Sequence, residues 1–198
     1  MVYKLKGAGL PNVYLIGGVI FEGKGDEQAV SYLELDGLYK SIARSVALRS
    51  GILTHGELRF LRKMLGMNQT EVAALGDKSV QAAAKWEKGT SPVPKAEGDL
   101  LRLKALTVFG NHKDILQVAN QLGSSAHPGD LPYVFRFDGS DWAYDQDAVL
   151  KVEENMSFKA ALSAHSAIQS AKLTSSEVAY TTAPNSNITP QIFSGSLI

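Results

Sequence analysis

The stretch Asn68–Gly89, NQTEVAALGDKSVQAAAKWEKG, decides how the chain is read. Asn68 with Glu71 three residues on has the spacing of a capping box. The asparagine oxygen accepts from the backbone N–H of the third residue, and the glutamate reaches back to the cap. Val72, Ala73 and Leu75 give that helix an inward face, and it can run only to Gly76-Asp77. Ser79 caps a second helix, which reaches Lys88 and ends at Gly89, in the place after a helix that glycine favours. Two capped helices about a sharp turn form a helix-turn-helix pattern. The second helix carries Ala82-Ala83-Ala84, bare enough to lie close to a neighbour, then Trp86. A buried indole supplies a large apolar area, so Trp86 reads as a core anchor rather than a contact.

The pattern extends outward from there. Upstream, Thr54 and Glu57 repeat the capping box, and Leu58, Leu61 and Leu65 line one face of a helix that Gly66 stops. Before that, Leu38, Ile42 and Val46 recur every four residues from Asp36 to a break at Ser50-Gly51. Residues 1–35 read as β-rich: Val13–Ile16 and Val19–Phe21 are apolar runs split by Gly17-Gly18, and Ala29–Leu35 alternates. Gly23–Asp26 is turn chemistry between them. Downstream, Pro94 suits the first position of a further helix, with Leu100, Leu101, Leu103, Leu106 and Val108. Ile115, Leu116, Val118 and Leu122 suggest one more short helix, and Tyr133–Phe137 a late strand before an acidic stretch around Trp142. Phe158, Leu162, His165 and Ile168 keep a weak helical spacing. Beyond Lys172 the chain is rich in Ser, Thr, Asn and Pro and reads as a flexible tail.

The sequence of 198 residues has no cysteine and a formal net charge of zero. The missing thiols exclude disulfides, thiolate zinc sites and thiol catalysis, and fit a cytoplasmic protein. Neither a membrane span nor a signal peptide is expected. The zero net charge hides an asymmetry. Between residues 40 and 104 there are twelve Lys and Arg against six Asp and Glu, a net of +6, balanced by −6 elsewhere. A basic middle between acidic ends points to a localised anion-binding face.

The quoted stretch resembles the lambda repressor/Cro-like, or XRE-type, DNA-binding family. That family's pattern runs [ST]-Q-x-x-[LV]-A, a turn, then a recognition helix ending in W-E-x-G. Asn68-Gln69, Val72-Ala73 and Trp86-Glu87-Lys88-Gly89 carry the match. GELRFLRKMLGMNQ, GLPNVYLIGG and PKAEGDLLRL are similar to the DNA-binding half of the MqsA-type antitoxins. In this sequence Leu75-Gly76 falls one residue earlier than the family's turn, with Asp77-Lys78 filling the gap. That leaves two registers, with either Val80-Gln81 or Gln81-Ala82 leading.

The expected fold class is α+β. A small N-terminal antiparallel sheet (1–35) precedes a five-helix lambda-repressor-like domain (36–123). A late strand with the acidic segment (124–150) and the weakly helical, then disordered, tail (151–198) follow.

The expected function is a sequence-specific transcriptional regulator that binds double-stranded DNA as a homodimer. A helix N-terminus presents unpaired N–H groups to a phosphate, and Gln69 adds a side-chain donor there, as the resemblance also implies. Ser79, Val80, Gln81 and Ala82 would face base edges. Gln81 can pair bidentately with adenine, and Val80 or Ala82 can touch a thymine methyl. Lys85 would reach a guanine or a phosphate, while Lys78, Lys88, Thr90 and Ser91 would position the backbone. Arg59 and Arg62 read as ion-pair partners of Glu57 or Glu87, or as phosphate contacts. The resemblance implies an alternative role, an antitoxin that binds a toxin protein and autoregulates its operon. His55, His112, His127 and His165 have no metal-ligand spacing, no phosphate loop or nucleophile elbow occurs, and neither a cofactor nor an enzyme is expected.

Overall fold

The computed structural model describes residues 2–23, 29–122, 132–149 and 151. Most of the expected Gly23–Asp26 turn and the whole of 152–198 lie outside them. The described residues combine helices with small sheets, so the class is α+β.

The element order is β1 (Val2–Lys4), β2 (Val13–Ile16), β3 (Val19–Glu22), β4 (Ala29–Tyr32), α1 (Leu35–Leu48), α2 (His55–Met64), α3 (Gln69–Ala74), α4 (Val80–Lys88), α5 (Lys95–Phe109), α6 (His112–Asn120), β5 (Tyr133–Phe137) and β6 (Trp142–Tyr144). Six helices thus lie between Leu35 and Asn120 among the described residues, one more than the expected five-helix domain, although each of the six segments reads as helical in the sequence. The outer two, α1 and α6, are held by packing and an ion pair. α1 precedes the helix-turn-helix and lies along α5, burying Leu38, Ile42, Ala43, Val46 and Ala47. Each large aliphatic side chain so buried contributes about 1.5–3 kcal/mol. α6 is started by a third capping box, Asn111 with Asp114. Asp114 also takes both nitrogens of an Arg44 fork, at 2.7 and 2.8 Å, and so ties α6 to α1.

The expected antiparallel N-terminal sheet is corrected in two respects. The order of the four-stranded sheet is β1-β2-β5-β6, and β2 pairs parallel with β5, Val13 opposite Tyr133 and Ile16 opposite Arg136. β3 and β4 form a separate two-stranded antiparallel pair. The N-terminal strands are therefore completed by strands from beyond the helices. Val13, Leu15, Tyr133 and Phe135 are all fully or almost fully buried, as strands covered on one face by helices require.

Trp142 holds the two sheets and α1 together. Its Nε1 donates to the Leu33 carbonyl at 2.7 Å, its ring packs on Phe137, and its own carbonyl accepts from Ser41 Oγ at 2.6 Å. The indole lies so close to Gly18 that a Cβ there would stand 2.5 Å from a ring carbon, so that position demands glycine.

A polar knot joins the sheet to the start of α2. The Tyr133 hydroxyl donates to Glu57 Oε1 at 2.5 Å, while Glu57 Oε2 accepts from the Thr54 backbone and hydroxyl. The Arg49 guanidinium stacks 3.6 Å above the Tyr133 ring. One carboxylate thus serves both a helix cap and a strand 76 residues away.

Candidate nucleic-acid interface

α2, α3 and α4 owe their boundaries to local chemistry. Thr54 and Asn68 form the two expected capping boxes, and the Ser79 hydroxyl accepts from the Ala82 N–H. Gly89 ends α4 in the left-handed conformation, φ 74°.

The turn between α3 and α4 explains why its glycine comes early. The left-handed residue is Asp77, φ 54°, not Gly76. Aspartate tolerates that region better than most side chains. Gly76 is demanded by packing instead: a Cβ there would lie 2.4 Å from Oε1 and 2.5 Å from Cγ of Glu97, which is buried at the start of α5. The chain then closes the turn through the Lys78 N–H donating to the Ala73 carbonyl at 2.9 Å.

This settles the register of α4. Ser79 is the cap and Val80 the first helical residue. Ala83 and Trp86 are buried in the core, as expected for Trp86, and Ala82 is half-buried against the same core. Val80, Gln81, Lys85 and Lys88 are exposed, together with Ser79 before them. The outward face therefore begins with Val80-Gln81. Ala82 does not stand on it: four residues before Trp86, it shares that buried side chain's face of the helix and has already turned inward.

Glu87 is the centre that fixes α4 to α2 and α3. Its carboxylate accepts from Arg62 Nε, from Arg62 Nη2 at 3.1 Å and from Gln69 Nε2 at 3.0 Å. Arg62 Nη1 also donates to the Met67 carbonyl at 2.9 Å, and Arg59 Nη2 to the Glu87 carbonyl at 3.1 Å. Burial pushes the Glu87 carboxyl up, but Arg62, Gln69 and Arg59 together draw it below its ordinary value. Both arginines thus meet Glu87 rather than Glu57. Gln69 uses one of its two amide hydrogens on Glu87.

The remaining residues lie around this core. Lys78, half-exposed, is 3.8 Å from Glu97. Thr90 donates through both its N–H and its hydroxyl to the Lys85 carbonyl, which ties the loop after α4 to the helix end. Thr90 is exposed and Ser91 half-buried. His55, which the sequence marks only as a histidine without metal-ligand spacing, packs against Gly89: a Cβ on that glycine would stand 3.3 Å from His55 Nδ1. The two are 34 positions apart, so no spacing rule connects them.

Residues 58–96 match the family model described as Helix-turn-helix. The chain carries a helix-turn-helix of the XRE type. The match runs from α2 through α3 and α4 into the first turn of α5, the part of the molecule held by Glu87 and Gly76. No curated protein and no solved structure matches the chain. Among the described residues, no group of His, Asp and Glu is placed to hold a metal ion, and no helix is long and apolar enough to cross a membrane.

Proposed function

We propose that this protein is a sequence-specific DNA-binding transcriptional regulator of the cytoplasm, which reads the major groove with α4. The observation that carries the reading is the two-faced build of that helix. Ala83, Trp86 and Glu87 are buried, and Ser79, Val80, Gln81, Lys85 and Lys88 stand exposed on the outer side. Gln81 offers an amide that pairs bidentately with adenine, and Val80 a methyl surface for thymine. Lys85 follows one turn on and meets a guanine or a phosphate. Lys78, Lys88, Thr90, Ser91 and the second amide hydrogen of Gln69 hold the DNA backbone.

So few reading side chains specify only a short half-site. The protein therefore acts as a homodimer on a palindromic operator, its half-sites about one helical turn apart.

Selection of bound duplexes from a random pool by the full chain, at stated salt, tests the reading. A two-fold symmetric motif should emerge, with affinity falling steeply as salt rises. Gln81→Ala should relax the preference at one base step of each half-site while leaving the fold unchanged. A pool that never enriches, with no salt-dependent binding to any duplex, overturns the proposal.

The sequence resemblance supports a second role, an antitoxin that masks a toxin protein. Copurification from the native host tests that role directly, with a small basic partner as the expected result.

A further inference from the structure

We propose that the DNA-facing surface extends beyond the helix-turn-helix onto the glycine loop Lys6–Gly9 and onto His55, which together meet a phosphate of the strand that passes Thr90 and Ser91. The inference rests on the DNA-binding reading above and adds a second, N-terminal contact to it.

Three observations lead there. The first is position. Leu5 and Leu10 are buried, and the Leu5 N–H donates to the Val13 carbonyl at 2.9 Å, so the loop is pinned at both ends. Between those anchors the Gly9 carbonyl sits against α2, 3.2 Å from where a Cβ of Gly56 would lie. Next to Gly56 is His55, and His55 packs on Gly89 at the end of α4. A continuous surface therefore runs from the loop, over the first turn of α2, to the residues just before Thr90 and Ser91.

The second observation is charge. The segment 5–12, the segment 49–54, α2, α4 and the segment 89–94 contain two carboxylates, Glu57 and Glu87. Both are buried, 6% exposed each, and both are engaged by arginine and other donors. The exposed cations on these elements include Lys6, Arg59, Lys85 and Lys88. An approaching phosphate meets exposed cations here and no exposed acid from these five segments; the exposed acids of the helix-turn-helix, Glu71 and Asp77, lie on α3 and the turn after it.

The third is the shape of the loop. Gly7 and Gly9 both have positive φ, 101° and 75°, and a Cβ at either would meet nothing within 4 Å. These glycines are thus selected by backbone conformation and not by crowding. They fold the loop back on itself with its backbone open to close approach by an anion.

The test uses the full chain and the duplex that wild-type protein selects from a random pool, with binding followed by fluorescence anisotropy across a salt series. Lys6→Gln should reduce the slope of log K against log salt by about 0.9, and Lys6→Arg should restore it. His55→Ala should weaken binding by the same factor on the selected duplex and on variants of it, because a phosphate contact carries no base preference. Lys113→Gln, on the exposed side of α6, should change neither affinity nor base preference. Wild-type slope and affinity in both Lys6→Gln and His55→Ala would overturn the proposal while leaving the regulator reading intact. Failure of the wild-type chain to bind any duplex removes that reading, and this one with it.

Discussion

The Cα of Gly76 lies against the Glu97 side chain so closely that any Cβ there would come within 2.4 Å of Oε1. That contact fixes how closely the start of α5 approaches the α3–α4 turn. Gly76→Ala should destabilise the fold by about 1–3 kcal/mol, the usual cost of overpacking a close contact. The same change in a Glu97→Ala background should cost much less, because the clashing atoms are gone. Urea denaturation of the four proteins measures the coupling, and simple additivity would show that the turn relaxes elsewhere.

Asp77 carries the positive φ that the turn requires. A left-handed L-residue is held at a cost of about 1–2 kcal/mol, less for Asp than for most, and glycine gives part of it back as unfolded-state entropy. Asp77→Gly should therefore raise stability by about 0.5–1 kcal/mol with an unchanged urea m-value. A destabilised Asp77→Gly protein would contradict the backbone argument.

The Arg62–Glu87 pair should behave as a buried salt bridge. Removing one partner, as in Arg62→Met, leaves the buried carboxylate with Gln69 as its remaining side-chain donor and should cost about 3 kcal/mol, the low end for a broken buried pair. Arg62→Met with Glu87→Met together should recover most of that loss. The pair also predicts a pH dependence. The carboxyl of folded Glu87 lies below its ordinary value of 4.5, so its contribution is complete above that pH and is lost as pH falls through the folded value. Asp114, held low by the Arg44 fork, adds a parallel acid loss. The acid limb of a stability profile should be shallower in Glu87→Gln than in wild type, and an identical limb would remove the assignment.

Tyr133→Phe isolates the link between the late strand and the helix-turn-helix. It deletes the hydroxyl that donates to Glu57 Oε1 and leaves that buried acceptor short of a partner. Burial, reinforced by the neighbouring Glu57 charge, holds the Tyr133 phenol well above its ordinary value, so it donates throughout the physiological range. A loss of about 1–3 kcal/mol is expected. Hydrogen exchange should show the extra opening at the first turn of α2, where Glu57 also caps Thr54. Unchanged protection there would mean that the capping box stands without the strand.

How much could be read in advance followed the range of the forces involved. The boundaries of α2, α3 and α4 were legible because caps act over three residues and amphipathic stripes over four. The inward Trp86 and the outward Gln81 and Lys85 follow from the same periodicity. The early glycine at 76 was visible as a departure, but its cause was not, since Glu97 lies 21 positions away. The same holds for the sheet. Residues 13–16 show their apolar character locally, yet nothing near them names residues 133–136 as the parallel partner.

The sequence by itself thus determined the helix-turn-helix, because capping and periodicity are properties of neighbours along the chain. Only the tertiary structure decided what surrounds it: the Glu87 knot that uses Gln69 from within, the Trp142 contact with Leu33, and His55 placed beside Gly89. Those relations join residues 18 to 109 positions apart. Burial and close packing select them once the whole chain has condensed, and no local rule encodes them.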